Sequence, residues 1–127
     1  AALPSFADYT AVDLTADTTL APATHSAQVG KYVTVSADAK TLTLPAVVVG
    51  TTFIIVNNAA DAAQLLTISP NGSDRFLVDI AGAAGTDDKD IINTKATMKQ
   101  YDYVKLVGIS ADGWLIDEVR GTWVDES

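Results

Sequence analysis

Apolar and polar residues alternate along most of this chain in short runs, each closed by a turn residue. Tyr9 to Thr15 separates Tyr9, Ala11 and Asp13 from Thr10, Val12 and Leu14, and predicts a first strand. In Lys31 to Ser36, Val33 and Val35 face inward while Tyr32, Thr34 and Ser36 face outward. After Asp38-Ala39-Lys40 the pattern repeats with Leu42 and Leu44 inward and Thr41 and Thr43 outward, which predicts a hairpin ended by Pro45. Phe53-Ile54-Ile55-Val56 is unbroken and β-branched, the signature of a central strand covered on both faces. Leu66 and Ile68 lead into the turn Pro70-Asn71-Gly72. Phe76, Val78 and Ile80 follow with period two, and Ile91-Ile92 begins another strand. Tyr101 to Ile109 sets Val104 and Leu106 against Tyr103, Lys105 and Val107, with a bulge expected at Gly108. Asp112-Gly113 is a tight turn, and Trp114 to Val119 is its return strand.

The connecting segments read differently. Ala16 to Ser26 is a loop, because Pro22 is unsuited to a helix interior or a central strand. Asn58 to Gln64 accommodates either a loop or one to two helical turns capped by Asn58. Ala81 to Asp90 is a small acidic loop, and residues 1–8 form an extended N-terminal arm with Leu3 and Phe6 as apolar anchors. There is no βαβ alternation and no repeat of constant period. The expectation is one all-β domain over residues 1–127, an antiparallel β-sandwich or jelly-roll-like barrel.

Composition narrows the chemistry. With Cys at 0 and His25 the only histidine, disulfides and most zinc, copper and iron sites are excluded, and no cofactor is expected. A net charge of −8 opposes binding to nucleic acid and to anionic membranes. No apolar run approaches the roughly 20 residues of a membrane span. The absence of Lys or Arg before Lys31 argues against a signal peptide. Hydrophobic residues at 48% against 19% charged predict more apolar surface than a small monomer hides, hence a subunit interface.

Candidate catalytic and metal groups are weak. A Ser-His-Asp set would need His25, which reads as a solvated loop residue. Asp87-Asp88-Lys89-Asp90 offers oxygens for a hard cation but lacks the spacing of a calcium loop. Asp117, Glu118, Asp125 and Glu126 read as a solvated edge and tail. Trp114 is expected in the core, and Trp123 as an anchor onto its own domain or onto a neighbouring subunit. No enzyme is expected.

Leu42-Thr43-Leu44-Pro45, Gly50, Phe53-Ile54-Ile55-Val56-Asn57, Leu66-Thr67-Ile68-Ser69-Pro70, Asp74, Tyr103-Val104-Lys105-Leu106 and Gly113-Trp114 occur here in that order. Together they resemble small β modules of tailed-bacteriophage virions, most of all the head decoration or cement proteins. The resemblance implies a structural protein on the capsid exterior, made in the host cytoplasm. It would clamp neighbouring capsomers as a homo-oligomer, a trimer, with the major capsid protein and its own copies as partners. Leu3, Phe6, Tyr9, Tyr101, Tyr103 and Trp123 are then the candidate capsid or subunit contacts. The alternative the same resemblance implies is a tail-fibre or receptor-binding module that holds carbohydrate on Tyr101, Tyr103 or Trp114.

Overall fold

The computed structural model describes residues 9–126, so the expected arm at residues 1–8, with Leu3 and Phe6, lies outside the described residues. The elements run β1 (Thr10–Leu14), β2 (Thr18–Thr19), α1 (Pro22–His25), a 3₁₀ turn (Ala27–Val29), β3 (Lys31–Val35), β4 (Lys40–Thr43) and β5 (Thr52–Asn57). They continue with β6 (Leu66–Ser69), β7 (Arg75–Phe76), β8 (Ile91–Asn93), β9 (Asp102–Ser110), β10 (Gly113–Arg120) and β11 (Trp123–Asp125). With 45% strand and 6% helix the protein is all-β.

Two mixed sheets carry these strands, one ordered β1-β3-β5-β9-β10-β7 and the other β11-β8-β6-β4-β2. The antiparallel expectation is corrected for the first half of the chain. From β1 to β6 the chain alternates between the sheets, and each strand lies parallel to the one laid down a circuit earlier. Thr10 sits beside Lys31, Val33 beside Ile55, Thr18 beside Leu42, and Lys40 beside Leu66. The predicted hairpin of Lys31–Ser36 with Leu42–Leu44 therefore does not form, because β3 and β4 belong to different sheets. Ala39, with φ +59, turns the chain from one sheet to the other, and its N–H bonds Leu65 O at 3.1 Å.

The second half is the antiparallel part. β9 joins β5 with Phe53 opposite Leu106, and β10 returns along β9 after a turn at Ala111-Asp112, one residue before the expected Asp112-Gly113. Gly113 faces Ser110 while Trp114 faces Gly108, so Ile109 is the extra residue of a bulge beside the expected glycine. A Cβ on Gly108 would come within 2.7 Å of Val48 O, so the missing side chain lets the loop before β5 lie close against β9.

Both sheets turn their apolar residues to one core. Val33, Val35, Phe53, Ile55, Val104, Leu106 and Trp114 meet Leu42, Leu66, Ile68, Ile91 and Trp123 from the other sheet. Phe53 and Trp114 pack as tilted rings with centroids 5.4 Å apart. β5 is buried along its whole length, as its sequence predicts.

Polar side chains join the core at one end. Asn57 Nδ2 donates to Asn93 Oδ1 at 2.8 Å and to Gln64 O at 3.2 Å. Gln64 Nε2 donates to Asn57 Oδ1 and to Val35 O, each at 2.8 Å. Asn93 Nδ2 donates to Asp102 Oδ2 at 3.2 Å and to Thr122 O at 3.0 Å. All four side chains are buried. Satisfied in this way, they tie β5 of one sheet to β8 of the other and lose little to desolvation.

Two segments depart from the loop reading of Ala16–Ser26. Thr18–Thr19 pairs with β4, and Pro22 starts the single-turn α1, a first position where its missing N–H removes no bond. This turn buries His25, which was expected in solvent. Its Nδ1 accepts the Ala21 N–H at 2.9 Å, and burial pushes its pKa down. Asn58–Gln64 takes the non-helical alternative, with Ala62 at φ +58. Of the predicted Phe76-Val78-Ile80 run, only Arg75–Phe76 is strand, and Val78 is exposed.

Candidate functional site

Strand register determines which side chains share the outer face of the first sheet. Thr34 lies opposite Val56, Val56 opposite Tyr103, and Tyr103 opposite Arg120, one continuous row across β3, β5, β9 and β10. Because Val33 faces Ile55, Tyr32 falls in the next row, level with Ile54 and Lys105. These side chains alternate with the core residues and so point away from the core.

Tyr32, Val56, Tyr101, Tyr103 and Arg120 line a groove of about 330 Å³ on this face. Val56 is its buried floor, and Tyr101, 56% exposed, stands at its rim. Tyr101 holds φ +71, a conformation that costs a non-glycine residue about 1 kcal/mol or more. Its neighbours impose it. Tyr101 N donates to Asn57 O at 3.0 Å, Gln100 N to Asp61 Oδ1 at 2.9 Å, and Lys99 N to Asp102 Oδ2 at 3.0 Å. The ring is thus carried on a turn anchored to the buried amide network.

Charge in the groove is local. Tyr103 Oη donates to Glu118 Oε1 at 3.4 Å, and burial together with the Glu118 carboxylate pushes the phenol's pKa up, so it stays a donor at neutral pH. Glu118 does not line the groove, whereas Arg120 does. Among the described residues no ion pair involves Arg120. Lys105 pairs instead with Asp117 at 3.4 Å.

An acidic cleft of about 210 Å³ lies elsewhere, between the 79–90 loop and β11, with Asp79, Asp90, Asp125 and Glu126 around Phe76. Asp125, Asp79 and Glu126 are engaged with backbone, and Asp90 with the Ser69 side chain. Asp125 accepts from Ile80 N at 2.8 Å and Ala81 N at 3.1 Å, Asp79 from Ala83 N at 2.9 Å, and Glu126 from Asp90 N at 2.9 Å. Burial raises the pKa of Asp90, and the Glu126 and Asp88 carboxylates add to the shift. Among the described residues no group of His, Cys, Asp and Glu has the arrangement to hold a metal ion, the Asp87–Asp90 run included. Asp125 and Glu126, read from sequence as a solvated tail, act here as staples for the loop.

A third surface is apolar. Gly50 N bonds Gly108 O at 2.7 Å and Thr51 N bonds Val48 O at 3.1 Å, which sets Val48 and Val49 beside the bulge at Ile109. Val49 is 65% and Ile109 51% exposed.

Of the sequence-predicted contact residues, Tyr101 and Tyr103 come together in the groove. Tyr9 is half-buried ahead of β1 and does not line it. Trp123 is 4% exposed, packs in the core, and donates Nε1–H to Arg120 O at 2.9 Å. The anchorage it provides is onto its own sheets. Trp114 is in the core as expected and offers no platform. Tyr32, Val56 and Arg120 escaped sequence reading, because only the pairing of β3, β5, β9 and β10 brings them beside Tyr103.

No protein family, curated protein or solved structure matches this chain.

Proposed function

We propose that this chain is a structural protein of a tailed-bacteriophage virion that decorates the capsid and clamps neighbouring capsomers as a homotrimer. In this reading the two sheets form a sandwich, residues 1–8 are its arm, and the major capsid protein and sister copies are its partners. The observation that carries the proposal is the exposed corner of Val48, Val49 and Ile109, three large apolar side chains on adjoining backbone at one end of the first sheet. Apolar side chains grouped in this way on a small acidic protein mark a surface that a partner covers. Burying such a corner contributes roughly 25 cal/mol per Å², and repetition over many joints multiplies a modest gain per joint.

The test adds purified protein to heads that lack it and follows rupture on heating. Decorated heads should break at higher temperature, and Val49→Asp with Ile109→Asp should abolish both binding and protection while the isolated protein melts as before. Absence of binding together with absence of protection would remove the proposal.

One observation favours a second reading, a tail-fibre or receptor-binding module that holds carbohydrate. Tyr101 and Tyr103 share a groove, as stacking on a sugar ring requires.

A further inference from the structure

We infer that the groove on the outer face of the first sheet is a binding site for an acidic saccharide, its pyranose ring stacked on Tyr101 and Tyr103 and its carboxylate held by Arg120. This rests on the carbohydrate reading above, deepens it by naming the ligand class, and is independent of the capsid reading.

Three features of the groove carry the inference. Size comes first: about 330 Å³ lies at the lower end of ligand pockets, which run from roughly 300 to 1,000 Å³, and suits one or two sugar rings. Lining comes second. Tyr32, Tyr101 and Tyr103 are aromatic and Val56 is an apolar floor, so the groove offers flat faces to C–H groups and phenol oxygens to hydroxyls.

Charge comes third. Among the described residues Arg120 is the only cation of the lining, and a guanidinium engages a carboxylate through two parallel N–H groups. The protein's net charge of −8 would repel acids at long range, yet that field decays over about 8 Å at physiological salt. Glu118, outside the lining, accepts from the Tyr103 hydroxyl.

Tyr101 supplies an independent sign of purpose. A tyrosine at φ +71, more than half exposed, gains nothing for the core, and its conformation is kept by the N–H groups of Lys99, Gln100 and Tyr101, which donate to the Asp102 carboxylate, the Asp61 carboxylate and Asn57 O. Strain that the surroundings over-determine is typical of ligand clamps, and a ring fixed before binding loses little entropy on contact.

The test titrates the protein with galacturonate, glucuronate and N-acetylneuraminate against galactose and glucose, reading amide shifts by NMR. The acids should bind at least about tenfold more tightly than the neutral sugars, and rising salt should weaken the acids alone. Arg120→Gln should erase that preference, Arg120→Lys should restore part of it, and Tyr101→Ala should weaken both classes. Melting of each variant is followed in parallel so that a folding defect is separated from lost binding. Equal binding of neutral and acidic sugars overturns the inference and leaves the carbohydrate reading standing. No binding of either class overturns both. A Tyr101→Ala variant that changes only the oligomer distribution by native mass measurement assigns the groove to a subunit contact and also overturns the inference.

Discussion

Asn57 on β5 and Asn93 on β8 join the two sheets through a single amide-to-amide hydrogen bond of 2.8 Å, with both side chains fully buried. Each amide also holds backbone elsewhere, Asn57 at Gln64 O and Asn93 at Thr122 O. Replacing Asn57 by Leu leaves polar atoms of Gln64 and Asn93 without partners, and each such loss costs about 1–3 kcal/mol. Urea unfolding of Asn57→Leu and Asn93→Leu should show losses of roughly 2–4 kcal/mol apiece, and the double variant should lose clearly less than their sum. Simple additivity would show that the two amides act separately.

Gly121, at φ +94, lies against the Asp102 carboxylate, and a Cβ there would fall 2.1 Å from Asp102 Cγ. Gly30 has φ +75 and open space around it. Gly30→Ala should therefore cost only the left-handed strain, about 1 kcal/mol, whereas Gly121→Ala should cost at least twice that. Similar losses from the two variants in thermal melts would refute the steric account of Gly121.

Burial holds the His25 pKa below its usual 6.5, and a neutral ring is needed for Nδ1 to accept the Ala21 N–H. The unfolded chain binds a proton at His25 more readily than the folded one. The contribution is whole above pH 6.5 and is lost as pH falls from there through the folded-state value. Denaturation midpoints measured between about pH 8 and pH 5 should fall with pH, and His25→Asn should flatten that part of the curve. An unchanged slope in the variant would assign the effect to other groups.

Trp114 is fully buried against Phe53, and its Nε1–H has no hydrogen-bond partner among the described residues. Trp114→Phe removes an unsatisfied donor along with the volume, so its cost should be about 1–2 kcal/mol. Trp114→Ala, which leaves a large cavity, should cost about 3–5 kcal/mol. Calorimetry on the two variants decides it, and equal losses would mean that the cavity left by the ring does not set the cost.

Strands and core were largely legible because alternation marks which face a residue takes. Val33, Val35, Leu42, Leu44, Phe53, Ile55, Val104 and Leu106 are all buried as their patterns require. Partner and direction are a different matter. Val33-Thr34-Val35 and Leu42-Thr43-Leu44 have the same period whether they pair as a hairpin or lie in opposite sheets, and alternation does not distinguish these. The circuits from β1 to β6 also differ in length, so no fixed repeat betrays the winding. Asn57, Gln64 and Asn93 look like surface residues until their mutual bonds are seen. The groove was half legible, since Tyr101 and Tyr103 are close in sequence while Tyr32 and Arg120 reach them only through register.

The winding of β1 to β6 has a kinetic and mechanical consequence. A strand that returns to its sheet only after visiting the other must close a long loop before its first bond forms, while β9 and β10 meet across two residues. That hairpin, docked on β5, is the expected nucleus, with the outermost circuit added last. Tension applied ahead of Thr10 would then unzip β1 from β3 bond by bond, opening the protein from its N-terminal side while the nucleus still holds.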